Sequence, residues 1–507
     1  MVVTLNTETA NQETANPETT AANAPPIASY AALTLTPKVH PVIKDFLADQ
    51  TKLQELVKAL GSPLNVMFPE LVHDNVEAFN ALFKKHGLRG KVFFAHKTNS
   101  SDSLVRQLAH ENASLDVSSL NELRHGLSSG FTGDRIEATG PKNREFLALA
   151  LQQGITISID SIWELNQVLE LRTFLKLQKP TKVLIRLSGF HADHSRFLNK
   201  GSRFGITINE LEEAFDIIEE NEDALDFMGF SFHLDTVSIT ERAVAIENCI
   251  ELYEDALGRG FEPRVLCIGG GFKVNYLESE QEWNEYTSAL KEAVLGTGPS
   301  MTWQGNAFGM YAEKGKLRGN FNSYNYYDDK SGPDFLDEIL SHQFPNLADK
   351  TAGALLRDNM IELWIEPGRS LVAQTGITVA SVNNLRPSST GDQLVNLNMK
   401  RQDVTFLDQE IFIDPIVLNQ TQCSEPGKHG VFFAGNLCLE SDLVYRHKTF
   451  LTQLPEPGDL VVFPNTSGYF MDFSATNSMM EPIARKVAVR QRNGKFEWML
   501  DEQYSII

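Results

Sequence analysis

Cysteine is scarce in this chain, with four among 507 residues. Cys249, Cys267, Cys423 and Cys438 have no paired metal spacing and form no disulfide framework for a chain this long. They read as reduced thiols, which sets the expectation of a cytoplasmic protein. Positive charge is short too. The 45 Lys and Arg face 66 Asp and Glu, a formal net charge of -21. That balance argues against a nucleic-acid partner, because little here would neutralise phosphates. A local site can still be basic in an acidic protein. Long apolar runs are missing, and none approaches the ~20 residues a membrane helix needs. Large apolar residues are nearly absent from Met1 to about Pro26. That Thr-, Glu-, Asn- and Ala-rich text predicts a disordered tail over residues 1–35. It has no basic start and no apolar core segment, so it does not read as a secretory signal.

What is present is a two-domain length with 42% hydrophobic residues. Residues 36–85 read as helices and a strand. Val42, Phe46, Leu47, Leu53, Leu56 and Val57 recur at helical spacing, Leu64–Phe68 reads as a strand, and Val72–His86 as a helix. Then a unit repeats: an apolar run, a polar or glycine turn, an amphipathic stretch. The runs are Val92–Ala95, Ala113–Val117, Ile136–Thr139, Ile155–Ile159, Val183–Leu187, Phe227–Leu234, Val265–Ile268 and Ile361–Ile365. Eight alternations predict an α/β fold, a (β/α)₈ TIM barrel over residues 86–375. Such a barrel carries its chemistry where the strands end. The exits hold Lys97, Asp116, Gly140, Asp160, Arg186, His233, Gly269–Gly271 and Glu366.

One connection is far longer than usual, the insertion 273–359. Its aromatics (Trp303, Phe308, Tyr311, Phe321, Tyr324, Tyr326 and Tyr327) make it a lid, a substrate contact or an extra packing layer. Beyond Arg369 the alternation stops. Ile377–Leu385, Val404–Ile413, Gly430–Asn436, Leu460–Pro464 and Val487–Met499 predict a mostly antiparallel β domain over 376–507, with turns at Pro387-Ser388, Glu425-Pro426-Gly427 and Asn493-Gly494.

Alone, Lys97 is a surface lysine at a strand end, and the glycine triplet a tight turn. In order, however, Ala95-His96-Lys97-Thr98-Asn99-Ser100, Asp116-Val117-Ser118-Ser119-Leu120-Asn121-Glu122, Cys267-Ile268-Gly269-Gly270-Gly271-Phe272, Glu366-Pro367-Gly368-Arg369 and Cys438-Leu439-Glu440-Ser441-Asp442 form a set. That set resembles the fold-type III pyridoxal-phosphate decarboxylases, which act on ornithine, arginine or diaminopimelate. The barrel is then expected to be alanine-racemase-like, and the cofactor pyridoxal 5'-phosphate. The resemblance implies that Lys97 carries the cofactor through its amine. Gly269, Gly270 and Gly271 hold the phosphate, and Asp116, Glu122, Arg186 and Thr236 line the same site. His233 stacks on the ring. Arg369 and Tyr469 touch cofactor or substrate. Glu366 faces the ring nitrogen and stabilises its protonated form. The related alanine racemases present an arginine there, so Glu366 favours decarboxylation over racemisation.

Cys438 matches the thiol that returns a proton to the substrate, delivered by the second subunit of a homodimer. Leu439, Glu440 and Asp442 fall where the far end of the substrate is read. Two positions depart from the family pattern. Asp235 replaces a glycine near the phosphate, and Leu439 replaces an acid. The expected partner is a small amino acid: a diamino acid, a diaminopimelate-like molecule, or a larger carboxylate-bearing conjugate such as a siderophore precursor. A racemase or epimerase, and a non-catalytic regulatory homologue, are the competing readings. His191-x-x-His194 has a metal-like spacing but polar, loop-forming neighbours, and no metal is expected.

Overall fold

The computed structural model describes residues 33–190, 202–324, 327–389, 391–406, 411–421, 427 and 429–506. His191, His194, Cys423, Tyr326, the Glu425-Pro426 turn and the tail up to residue 32 lie outside them. The tail expectation over 1–35 extends too far. Leu33 and Leu35 are buried, and the Leu35 N–H donates to the Asp414 carboxylate at 2.7 Å.

All eight expected runs form strands: Gly90–Ala95, Ser114–Val117, Ile136–Ala138, Thr156–Ile159, Thr181–Ser188, Leu225–Ser231, Val265–Cys267 and Glu362–Ile365. Each pairs in parallel with its neighbour, and the last pairs with the first, so the barrel closes. The runs are apolar on both faces because the barrel interior covers one side and helices the other. Phe93, Leu184, Met228, Val265, Cys267 and Trp364 fill the interior, with the Phe93 and Trp364 rings 4.6 Å apart. This plug is a floor, and the site lies above it.

The helices start where the strands end. Ser119, Asn143, Ser161 and Ser238 cap helices Leu120–Ser128, Arg144–Gln152, Ile162–Leu175 and Ile239–Gly258 by accepting backbone N–H groups of the first turn. These caps hold the loops at the mouth in fixed shapes.

The second domain is a mixed sheet. Strand Leu64–Met67 lies between Gly376–Pro387, antiparallel, and Arg485–Arg492, parallel, so the N-terminal segment is stitched into the C-terminal sheet. Val404–Ile413 is not a strand over its described part. Arg401–Asp403 makes a 3₁₀ turn, and Val404, Phe406, Ile411, Phe412 and Ile413 are buried in the second core. Their apolarity reflects packing rather than a ladder. Three short strands, Gln393–Leu397, Ile416–Leu418 and Thr449–Leu451, carry too little pattern to be read from sequence.

The long insertion is structured. It contains helices Glu280–Val294, Pro333–Ser341 and Ala352–Asp358 and a hairpin of Met310–Glu313 with Lys316–Gly319. Phe308 and Phe321 pack on Phe412, with ring centres 4.6 and 5.5 Å apart. Most of the insertion is therefore a packing layer. Among its described residues, Lys273, Ser323 and Tyr324 reach the mouth.

Candidate active site

Two connected lobes open at the strand exits. The first, about 560 Å³, is lined by Lys97, His233, Thr236, Gly270, Gly271, Glu366, Arg369 and Tyr469, with Ser323 and Tyr324 from the insertion. The second, about 690 Å³, is lined by Arg186, Arg203, Phe204 and a ring of hydroxyls from Ser118, Thr139, Ser158 and Ser231. Lys97, His233, Asp235 and Glu366 border both. The barrel thus gathers residues separated by hundreds of positions around one lysine.

Burial pulls the Lys97 ammonium down, but Asp116, Tyr469 and Glu366 outweigh it and leave its pKa raised. Asp116 is fully buried and accepts the Thr139 hydroxyl. Burial first, and the Glu366 charge second, push its carboxyl up to about 7. Glu122 accepts the Ser118 N–H at 2.6 Å and faces His96. His233 is held down to about 3 by burial and by Lys97 and Arg186, so its imidazole is neutral. Arg186 lies over Phe204 and 3.8 Å from Asp160. Arg369 sits between the Tyr324 and Tyr469 rings, 4.8 and 5.3 Å away. That insertion-to-barrel contact makes Tyr324 a wall of the site.

The glycine triplet is required by space. A Cβ on Gly270 would lie 2.4 Å from the Glu366 carbonyl oxygen. Gly269 and Gly271 have φ of +67° and +78°, which L side chains rarely adopt. Beneath the loop lies Arg242, which sequence reasoning missed. Its guanidinium is buried and donates to the carbonyls of Gly270, Gly271, Leu234 and Thr236. Its Nη1 is buried with no hydrogen-bond partner. Burial lowers its pKa to about 10 against the opposing pull of Asp235. Asp235 is exposed at the lip of both lobes, so it does not turn away from the mouth; its charge faces a buried guanidinium. An arginine inside an amphipathic helix gave no sequence signal.

The residues expected at the far end of the substrate behave differently. Cys438, Leu439 and Glu440 are exposed and line neither lobe. Asp442 is buried, and its carboxylate accepts the N–H groups of Leu437 and Arg401. It fastens its own loop rather than facing the cavity.

The donor set fits a phosphopyridine. One lobe is lined by glycine backbone at Gly270 and Gly271, by the Glu366 carboxylate and by the Lys97 amine. Comparison with known proteins agrees. Residues 71–318 match the model of the pyridoxal-dependent decarboxylases, pyridoxal binding domain. Those residues form a domain of the pyridoxal-dependent decarboxylase kind. A curated relative from Bacillus subtilis, a diaminopimelate decarboxylase, is 25% identical over 344 residues, 65% of each chain. The protein y4yA of Sinorhizobium fredii, whose function is uncharacterised, is 27% identical over 92% of this chain and 93% of its own length. The diaminopimelate decarboxylase of M. jannaschii, solved with L-lysine, has the same fold: TM-score 0.65 and 21% identity over 86% of this chain and 89% of that one. The family's cofactor is pyridoxal phosphate.

Proposed function

We propose that this protein is a pyridoxal-phosphate-dependent carboxy-lyase whose substrate is an amino acid bearing a second carboxylate, diaminopimelate-like or larger. The observation that carries the substrate reading is the second lobe. Arg186 and Arg203 with four hydroxyls offer donors to a distal anion. A plain diamino acid such as ornithine would bring an ammonium to the lobe that Arg186 and Arg203 line.

The cofactor, when bound, supplies an electron sink for the pair left when the α-carboxylate departs. The chain supplies the rest. Lys97 Nζ is the amine that holds the cofactor. The Gly269–Gly271 loop, braced by Arg242, would hold its phosphate, with Arg369 and Thr236 beside it, while the Gly270 N–H is held by His233 Nδ1. Neutral His233 offers an uncharged ring face. Glu366 keeps a negative charge at the ring-nitrogen end, the arrangement that favours loss of carbon dioxide over racemisation. Tyr324, Tyr469 and the floor of the barrel limit water around the reacting carbon. Cys438 Sγ delivers a proton from a second protomer, which fits its exposure outside the lobes of its own chain.

A panel of amino acids tests the reading by carbon dioxide release. Diaminopimelate or carboxylate-bearing conjugates are expected to react fastest, with Lys97→Ala as the inactive control. Ornithine or lysine as the fastest substrate overturns the substrate assignment.

A further inference from the structure

Strand Ile136–Ala138 carries a glutamate between two apolar residues, in register with Asp116 on one neighbouring strand and Thr156 on the other. Glu137 has no exposed surface, and neither carboxyl oxygen has a hydrogen-bond partner. It points into the cluster of the candidate site: oxygens of Glu137 and Glu366 and the Sγ of Cys267 all lie within 4.8 Å of one another. Three strands therefore bring two carboxyls and a thiol together above the barrel floor. Asp116 adds a third carboxyl beside them.

The cations that face Glu137 are engaged elsewhere. Lys142 pairs with Glu164 at 2.8 Å and donates to the carbonyls of Gly140 and Ser158. Arg186 lies over Phe204 and toward Asp160. Cys267 directs its S–H to Glu366 Oε1 at 3.0 Å, and burial keeps that thiol protonated. An ionised Glu137 would be a buried charge without a partner, next to like charges. Carboxyls this close do not both ionise; one keeps a proton. Glu366 borders both open lobes and accepts the thiol donor. Glu137 has neither advantage.

We propose that Glu137 is a neutral carboxylic acid that forms a one-proton, one-charge pair with Glu366, so that a single negative charge faces the cofactor's ring nitrogen. Glu137 is then a positioning residue for that charge. The proposal rests on the cofactor reading for its role, but the protonation state stands independently of it. Burial, and then Glu366 and Asp116, raise the Glu137 carboxyl well above its ordinary range, in the same direction.

The test is infrared spectroscopy of the full-length protein. At pH 7 the difference between wild type and Glu137→Gln is expected to show loss of a protonated-carboxyl C=O band. Loss of a carboxylate band instead overturns the proposal. Glu366→Gln removes the like charge, so the Glu137 band is expected to titrate at lower pH; an unmoved titration overturns the pairing. Thermal stability gives an independent arm. Below the unfolded carboxylate pKa the two proteins differ least. As pH rises the unfolded wild type ionises Glu137 and the folded one does not, so wild type loses stability that Glu137→Gln keeps. The melting-temperature difference in favour of Glu137→Gln is expected to grow from pH 5 to 8. A constant or shrinking difference, or a Glu137→Gln protein that does not fold, counts against a neutral Glu137. None of these readouts requires a substrate or turnover, so they fail separately from the decarboxylase reading.

Discussion

The backbone N–H of Gly270 donates to Nδ1 of His233 at 3.3 Å. The bond ties the glycine loop to the imidazole expected to stack on the cofactor. It also requires Nδ1 to be unprotonated, consistent with an imidazole whose pKa is pushed down to about 3. Removing the side chain loses a ring contact and a hydrogen bond, together about 2 kcal/mol. His233→Ala is therefore expected to weaken cofactor binding roughly thirtyfold, measured by equilibrium titration. Binding by wild type should show no His233 titration between pH 5 and 8.

Gly270→Ala should be more damaging than its size suggests. The new Cβ meets the Glu366 backbone, so one methyl disturbs both ends of the site. The expected outcome is a folded protein, by circular dichroism, that has lost the cofactor absorbance near ~420 nm. A Gly270→Ala protein with full absorbance would show that the loop has slack.

Arg242→Met strips four backbone carbonyls of a charged donor. A loss of about 3 kcal/mol in unfolding free energy is expected, measured by urea denaturation, with weaker cofactor binding. Asp235→Asn, at an exposed lip, should change stability by less than about 1 kcal/mol.

Asp414 reports pH dependence away from the cavity. Burial pushes its carboxyl up to about 7, despite the N–H it accepts from Leu35. Its folded pKa exceeds the unfolded value of 3.8. The stability it contributes is complete below that value and is lost as pH rises through about 7. Asp414→Asn should flatten the decline between pH 4 and 7 in thermal melts.

The barrel was legible because each of its strands is a short apolar run closed by a polar exit, and both features are local. Lys97, Glu366 and Gly269–Gly271 were legible because the resemblance runs through those motifs in order. Arg242 and Glu137 were not. Each is one charged residue within a regular element, and only closure of the barrel brings them under the loop and beside Glu366. Val404–Ile413 misled for the opposite reason: buried irregular chain and buried strand have the same composition. Asp442 looked like a substrate contact by position, yet its carboxylate is consumed by two backbone N–H groups. Tyr324 was visible only as one aromatic among several, since its contact with Arg369 spans the insertion.

The shared-site reading also has a direct check. Lys97→Ala and Cys438→Ala proteins, each inactive, are mixed after dissociation. If Cys438 acts across subunits, half the dimers are mixed and each holds one intact site, so roughly a quarter of the activity returns. No recovery places the thiol in its own protomer's chemistry or outside the reaction.

Lys97 is the residue proposed to carry the cofactor at the barrel mouth. Borohydride treatment of the purified protein followed by peptide mass mapping tests it. A phosphopyridoxyl group is expected on the peptide containing Lys97, and none in Lys97→Ala. An unmodified Lys97, or the label on another lysine, contradicts it.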